Sequence, residues 1–290
     1  MSEITCIGIL AHPLRPMSFP VAEQIRDRLT AKGLQPWLAT QWRENDVLED
    51  VQRSHMVIAI GGDGAMLRAA RVCAPFSVPV LGINMGNLGF LTEVADPHKW
   101  EASVDAILSG NYWIEQRSML HVTAYRSETT VLAESIALND IVISGLTTGR
   151  IIELDTYIDQ DWTTTYYADA LVIATATGST AYALALGGPI LPPELSNILI
   201  VPAAPHLSMD RPIVISEGSE VKVISSGNAD VLVQADGTTI ARLHADDYVI
   251  VRASDHDSRF IRLRSRNYFY RSLLDRLEPR VQRRRQRNQM

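Results

Sequence analysis

The chain has 290 residues, 46% hydrophobic and 21% charged, with a formal net charge of −6. These values describe an ordinary globular chain, long enough for one large domain or two, and the acidic balance argues against a general nucleic-acid binder. Only Cys6 and Cys73 occur, which gives no disulfide framework and predicts a reducing cytoplasm, and no apolar run approaches the roughly 18 residues of a membrane helix. In chain order, residues 4–10 read as an apolar strand, followed by a proline-punctuated loop, 12–20, and an amphipathic helix over about 21–32 closed by Gly33. The opening MSEITCIGIL carries Glu3 and no basic region, so it does not read as a signal peptide. Residues 35–40 form a second strand, which Pro36 confines to an edge or a strand start. A short helix, 44–53, precedes the strand 55–60, which empties into Gly61-Gly62-Asp63-Gly64 and a helix that stops before Pro75. Another strand, 78–84, and a helix capped by Asp96-Pro97 and closed by Gly110 complete the alternation. Such alternation predicts a parallel sheet with helices on its faces and a ligand site beyond the carboxyl ends of the strands.

After about Tyr112 the segments become short and β-branched, at 119–125, 136–144, 151–158, 197–201, 212–216, 221–225, 231–234, 248–252 and 260–264. The fold class expected is therefore α/β with a parallel sheet in an N-terminal domain, 1–110, followed by a β-rich, sandwich-like domain, 111–266. A C-terminal helix with a basic tail occupies 267–290, where Arg280, Arg283, Arg284, Arg285 and Arg287 form one run.

The glycines of Gly61-Gly62-Asp63-Gly64 permit a turn with positive φ and a close ligand approach, and the following helix start suits an anion such as phosphate. Asp63 has two readings on this stretch alone: a helix cap, or a group that works on a hydroxyl or a metal ion. The chain has three lysines, Lys32, Lys99 and Lys222, and none follows a glycine-rich loop, which excludes P-loop NTPases and protein kinases. Bound phosphates must then be held by backbone amides, arginines and a metal ion. A second glycine-rich stretch, 82–91, ends in Phe90, which either stacks on a base or sits in the core. Asn139-Asp140 is an ordinary turn pair or an amide and carboxylate suited to vicinal ribose hydroxyls. Thr177-Gly178-Ser179-Thr180-Ala181-Tyr182 is a helix cap or a phosphate or sugar site. Asp169 and Asp236-Gly237 are isolated acids near turns, and the seven histidines show no zinc-ligand spacing.

Taken in order, Gly-Gly-Asp-Gly, the 84–93 run NMGNLGFLTE, Arg117-Ser118-Met119-Leu120, Leu138-Asn139-Asp140, the 177–182 run with Gly187-Gly188-Pro189, Pro205-His206 with Arg211-Pro212, and Asp236-Gly237 resemble the bacterial and cyanobacterial NAD kinases. The resemblance spans about residues 4–275. It implies transfer of the γ-phosphoryl group of ATP to the 2′-hydroxyl of the NAD adenosine ribose, giving NADP, with Mg²⁺ as the cation. It makes the first domain the nucleotide-binding one and the second the NAD-binding one. By that likeness Asp63 is the catalytic carboxylate, and Gly61, Gly62 and Arg68 bind phosphate. Gly64, Phe90, Asn139, Asp140, Asp169, Thr180, Ala181 and Tyr182 contact NAD, with Asp169 near the nicotinamide end across a subunit interface. The family forms dimers and tetramers, so a cytoplasmic homo-oligomer with no nucleic-acid or membrane partner is expected. The alternatives are a lipid or sugar kinase sharing the GGDG core, or a non-catalytic dinucleotide-binding regulator. Ala65, Ala170, Ala176 and Ala185 depart from the family's Thr, Gly, Pro and Ser, and Asp140 stands where Glu is commoner. Lost hydroxyls at 65 and 185 bear on substrate affinity.

Overall fold

The structure, a computed structural model, describes residues 4–86, 89–147, 150–270 and 273. Along the first part of the chain run β1 (Cys6–Ala11), α1 (Ser18–Ala31), β2 (Gln35–Ala39), α2 (Leu48–Gln52), β3 (Met56–Gly61), α3 (Asp63–Cys73), β4 (Val80–Asn84), α4 (Trp100–Leu108) and β5 (Trp113–Arg117). Then follow β6 (Leu120–Ser127), β7 (Thr130–Ala137), β8 (Asp140–Gly145), β9 (Ile152–Ile158), β10 (Asp161–Ala168), β11 (Ala170–Ala174), α5 (Tyr182–Ala185), β12 (Ile198–Ala203), β13 (Ile213–Ile215), β14 (Val221–Ser225), β15 (Val231–Ala235), β16 (Thr238–Leu243), β17 (Tyr248–Ala253) and β18 (Ser258–Arg262). They form two compact units, Met1–Glu115 with Arg259–Met290, and Gln116–Ser258.

In the first unit one sheet has the order β2-β1-β3-β4-β18-β5. Its pairs β1–β2, β1–β3, β3–β4 and β4–β18 are parallel. Every residue of β3 is buried, because helices cover parallel sheets on both faces and leave no side for polar residues. Ile7, Ile9, Ile58, Ile60, Leu81 and Ile83 from the strands pack with Ile25 and Leu29 of α1 and Val104 and Ile107 of α4. Pro36 does lie in the edge strand, β2, where its missing N–H costs no ladder bond. Helix α1 starts at Ser18, three residues earlier than its apolar pattern suggests. Pro20 is accepted there because first-turn N–H groups have no intrahelical partner anyway. Asp96 accepts a hydrogen bond from the His98 amide at 3.0 Å, and Gly110 takes φ +76° where the following helix ends. Strand β18, which the sequence groups with the β-rich half, instead enters this sheet between β4 and β5.

The second unit stacks two six-stranded antiparallel sheets, ordered β10-β9-β14-β17-β6-β7 and β13-β12-β11-β8-β15-β16. Alternate residues fill the layer between them, among them Val122, Leu154, Val223 and Val249 from one sheet and Ile143, Ile173, Ile200 and Val233 from the other. The outer face of the second sheet is covered too, for Val142, Val172, Leu199 and Val201 pack with Ala183 of α5. That double cover explains why β11 and β12 are buried at every position.

Several strands escape the sequence pattern. Strands β7, β10 and β16 lie in or next to edges and carry Thr, Glu and Asp, so they show no clean apolar alternation. β5 and the five-residue β11 are also missed. The expected single strand over 136–144 is broken at Leu138-Asn139, between β7 and β8. The expected C-terminal helix begins at Tyr268. Apart from Leu273, its remainder lies outside the described residues, as do the arginine run and Asn87 and Leu88.

Candidate functional site

In the first unit, β3 and β4 end side by side, and the Met85 amide donates to the Gly61 carbonyl at 3.1 Å. The positive φ that Gly61, Gly62 and Gly64 permit is not used by any of them. What Gly61 supplies is closeness: a Cβ there would lie 2.5 Å from the Cβ of Ala65, so the helix can start directly against the strand. At Gly62 and Gly64 an added Cβ would meet nothing within 4 Å, which leaves the start of α3 open to an approaching group. Gly62, in an extended conformation, is the N-cap, and Asp63 is the first helical residue.

The Asp63 carboxylate does not cap its own helix. It reaches across to the second glycine-rich stretch, where Oδ2 accepts the Phe90 amide at 2.7 Å and Oδ1 accepts the Leu91 amide at 3.0 Å. A Cβ on Gly89 would stand 2.0 Å from Asp63 Oδ1, so only glycine lets the carboxylate pass. Two amide bonds, one to each oxygen, fix the carboxylate plane and leave further lone pairs on both atoms.

Arg68 does not sit as a bare phosphate ligand: its Nη2 donates to the Trp42 carbonyl at 3.0 Å and its guanidinium lies 4.2 Å from the centre of the Trp42 ring. Two neighbours were passed over in the sequence. The His12 imidazole lies by Gly61 and is held below its ordinary pKa by burial first, then by the charges of Arg15 and Arg68. Arg15 Nη1 would meet a Cβ on Gly86 at 3.0 Å. Their position in the loop after β1, at the carboxyl end of the sheet, was the available signal.

In the second unit the break between β7 and β8 is held by an acid from elsewhere in the sheet. Asp236 Oδ2 accepts the Leu138 amide at 2.9 Å, while Oδ1 accepts those of Asn139 at 2.8 Å and Asp140 at 3.3 Å. Asp236 and Gly237 join β15 to β16 as a two-residue hairpin with φ +47° and +76°, the backbone of a type I′ turn. Asp140 is buried, and its carboxyl is pushed up to about 7, by desolvation first and the nearby charge of Asp236 second.

The 177–182 run closes on the same break. The Thr175 hydroxyl donates to the Leu138 carbonyl at 2.6 Å and its amide to the Asn139 carbonyl at 2.9 Å. A Cβ on Gly178 would fall 2.0 Å from that Asn139 carbonyl oxygen. Instead of one helix from 178 onward, Gly178–Thr180 forms a 3₁₀ turn and α5 starts at Tyr182. Thr180 and Ala181 are half-buried, and Tyr182 is 44% exposed. Asp169 is not gathered here. It is exposed and lies before β11, whereas Asp140 pairs with Ala174 at that strand's far end, roughly 15 Å away at strand rise. Of the departing alanines, Ala65, Ala170 and Ala176 are buried and Ala185 is exposed.

A parallel sheet ending in glycines around a gripped carboxylate, and a β-sandwich with an amide–carboxylate break beside hydroxyl-bearing turns, are the equipment of an α/β–β protein that handles nucleotides. Residues 7–112 match the ATP-NAD kinase N-terminal domain and residues 138–263 the ATP-NAD kinase C-terminal domain. The NAD kinase of Chloroflexus aggregans is 35% identical over 271 residues, 93% of this chain and 98% of that protein. That of Erwinia tasmaniensis is 36% identical over 275 residues, 91% and 94%. The chain belongs to the NAD kinase family. Among solved structures, yeast NADH kinase complexed with NADH superposes with a TM-score of 0.86 at 20% identity, over 96% of this chain and 88% of that one. An NAD kinase from Archaeoglobus fulgidus in complex with ATP gives 0.71 at 22% identity, over 92% and 96%. At these identities the two likenesses speak to the fold.

Proposed function

We infer that this protein is an NAD kinase that transfers the γ-phosphoryl group of ATP to the 2′-hydroxyl of the NAD adenosine ribose. The observation that carries the reading, beside family membership over both halves, is the Asp63 carboxylate held by the Phe90 and Leu91 amides at an open helix start. A ribose hydroxyl is a weak nucleophile at neutral pH. A fixed carboxylate within hydrogen-bond reach accepts its proton as the new P–O bond forms and the bond to ADP breaks. We assign that role to Asp63. Asn139 and Asp140 hold ribose hydroxyls, and Phe90, Thr180, Ala181, Tyr182 and Gly64 line the NAD site. We assign the phosphates to Gly61, Gly62 and Arg68, at the helix start left open beside Gly62, and Asp169 to the nicotinamide end of a neighbouring subunit's NAD.

Among the described residues no group of three or more His, Cys, Asp or Glu side chains gathers as a metal site. We assign Mg²⁺, which the family likeness implies, to the bound nucleotide, where it would neutralise the charge of the phosphates. The same reading gives a first domain over 1–110 for the phosphates, a second over 111–266 for NAD, and a tail over 267–290. It also gives a cytoplasmic homo-oligomer. Exposed Trp162, Tyr167 and Leu207 in the second unit support a partner copy, and the free thiols Cys6 and Cys73 support a reducing compartment. The test is a matrix of phosphoryl donors against acceptors. ATP with Mg²⁺ and NAD must yield NADP, and phosphorylation of a lipid or sugar instead of NAD would overturn the assignment.

A further inference from the structure

The first unit holds a four-membered ion cluster that the proposed chemistry does not use, with Arg262, Glu93 and Glu115 buried and Arg264 partly exposed. Arg262, fully inaccessible, donates from Nε to Glu115 Oε2 at 2.8 Å and from Nη1 to the Leu91 carbonyl at 2.8 Å, and its Nη1 lies 3.4 Å from Glu93 Oε2. Its Nη2 is 2.7 Å from Glu115 Oε2. Glu93 Oε1 accepts the Leu263 and Arg264 amides, both at 2.9 Å, and Oε2 takes the Arg264 side chain at 2.9 and 3.1 Å. Arg264 Nη2 donates to the Thr92 carbonyl at 3.1 Å. The Tyr268 hydroxyl donates to Glu115, at 3.0 and 3.1 Å from its two oxygens.

Burying Arg262 with Glu93 and Glu115, beside a partly exposed Arg264, is a poor way to gain stability, because desolvation consumes most of the Coulombic attraction. Such a cluster does fix geometry, since each guanidinium offers donors in a rigid fork. The backbone it fixes here is 91–92, whose carbonyls accept from Arg262 and Arg264. The adjoining amides, of Phe90 and Leu91, are the two donors that hold Asp63. Leu91 thus carries an arginine on its carbonyl and the carboxylate on its N–H.

We propose that Arg262 is a positioning residue for phosphoryl transfer, locking the 90–92 backbone so that its two amides set the orientation of the Asp63 carboxylate. The proposal rests on the reading of Asp63 as the catalytic carboxylate. A shift of about 1 Å at a reacting group costs on the order of a hundredfold in rate, so looseness at Leu91 reads out in turnover. Lysine at 262 keeps the charge but cannot bond Glu115 and the Leu91 carbonyl in one plane.

The test compares Arg262→Lys, Asp63→Asn and the double variant in the full chain. In Arg262→Lys, kcat falls at least about tenfold while KM for ATP and for NAD stays within about threefold, because no residue assigned to ATP or NAD is replaced. On the Asp63→Asn background the same change lowers kcat no further, since its effect passes through Asp63. A folded Arg262→Lys protein with kcat within twofold of the parent, or an equal loss on both backgrounds, overturns the proposal. Should Arg262→Lys fail to fold, Glu115→Gln, which keeps an oxygen acceptor for the guanidinium, is judged by the same criteria. Undiminished turnover in Asp63→Asn would instead remove the Asp63 reading. Amide hydrogen exchange at Phe90 and Leu91 then decides on Arg262: faster exchange in Arg262→Lys at unchanged global stability supports the lock, and unchanged exchange refutes it.

Discussion

Asp140 sits where burial and the charge of Asp236 both oppose its ionisation, and its carboxyl titrates near 7 instead of the ordinary 3.8. The folded chain therefore keeps a proton that the unfolded chain releases between about pH 4 and pH 7. Stability from this group is complete below that interval, falls as pH rises through it, and is lost above about 7. Asp140→Asn, which keeps the shape but does not titrate, flattens that slope in thermal melts from pH 5 to pH 8, and identical slopes in both proteins would contradict the assignment. At Gly89 the prediction is steric. Alanine there drives a methyl group into the Asp63 carboxylate, so Gly89→Ala lowers kcat by about a hundredfold or more, with a far smaller change in melting temperature. At this scale the sequence was readable for residue type and silent on partners. Asp63 stood out as an acid among glycines, but nothing in Gly61-Gly62-Asp63-Gly64 says that its oxygens go to amides 27 and 28 residues away. Asp236 reads by itself as an isolated acid near a turn and gains meaning only in the family's motif order, although its three amide partners make it the organiser of the Asn139-Asp140 break.

The β15–β16 hairpin shows how an element carries its residue. Asp-Gly between VLVQA and TTIARL is a strong short-range hairpin signal, and the turn delivers the Asp236 side chain to the 138–140 backbone. Asp236→Ala orphans three amide donors, and we expect a loss of about 2–4 kcal/mol in denaturant unfolding together with weaker NAD binding. A loss below about 1 kcal/mol would mean that water replaces the carboxylate without penalty. Most of the first α/β half was legible as elements because β1, β3 and β4 are buried on both faces and helices α1 and α4 end at Gly33 and Gly110, both with positive φ. The edge-side strands β7, β10 and β16 were not, since their Thr, Glu and Asp residues face solvent and erase the period-two pattern. The break at Leu138-Asn139 has a local signal in the polar Asn139-Asp140 pair; what no local pattern carries is the long-range Asp236 contact that holds it.

At the scale of the whole chain, β18 returns from the far end of the sequence to the sheet that β1 opens. A linear reading of texture places it with its sequence neighbours, because parallel pairing carries no local signal and the β4–β18 register joins Phe260 to Val80. Truncation after Ser258 removes Arg262 and Arg264 from Glu93 and Glu115 and leaves two carboxylates buried without their cations. Breaking a buried pair costs about 3–5 kcal/mol, so the truncated chain should lose the cooperative melting of its first unit while Gln116–Ser258, with its own core, keeps β-rich circular dichroism. A single transition lost as a whole would contradict that separation. The family itself was legible from motifs spread along nearly the full chain, each ambiguous alone and specific in order.

The most direct test of the account is turnover by Asp63→Asn with ATP, Mg²⁺ and NAD, measured beside NAD binding to the same protein. Asparagine keeps an acceptor oxygen of the same shape but cannot take the hydroxyl proton, so kcat should fall by about 10²–10⁴ while NAD affinity stays within about threefold. NADP formation at the parent rate by Asp63→Asn would contradict it.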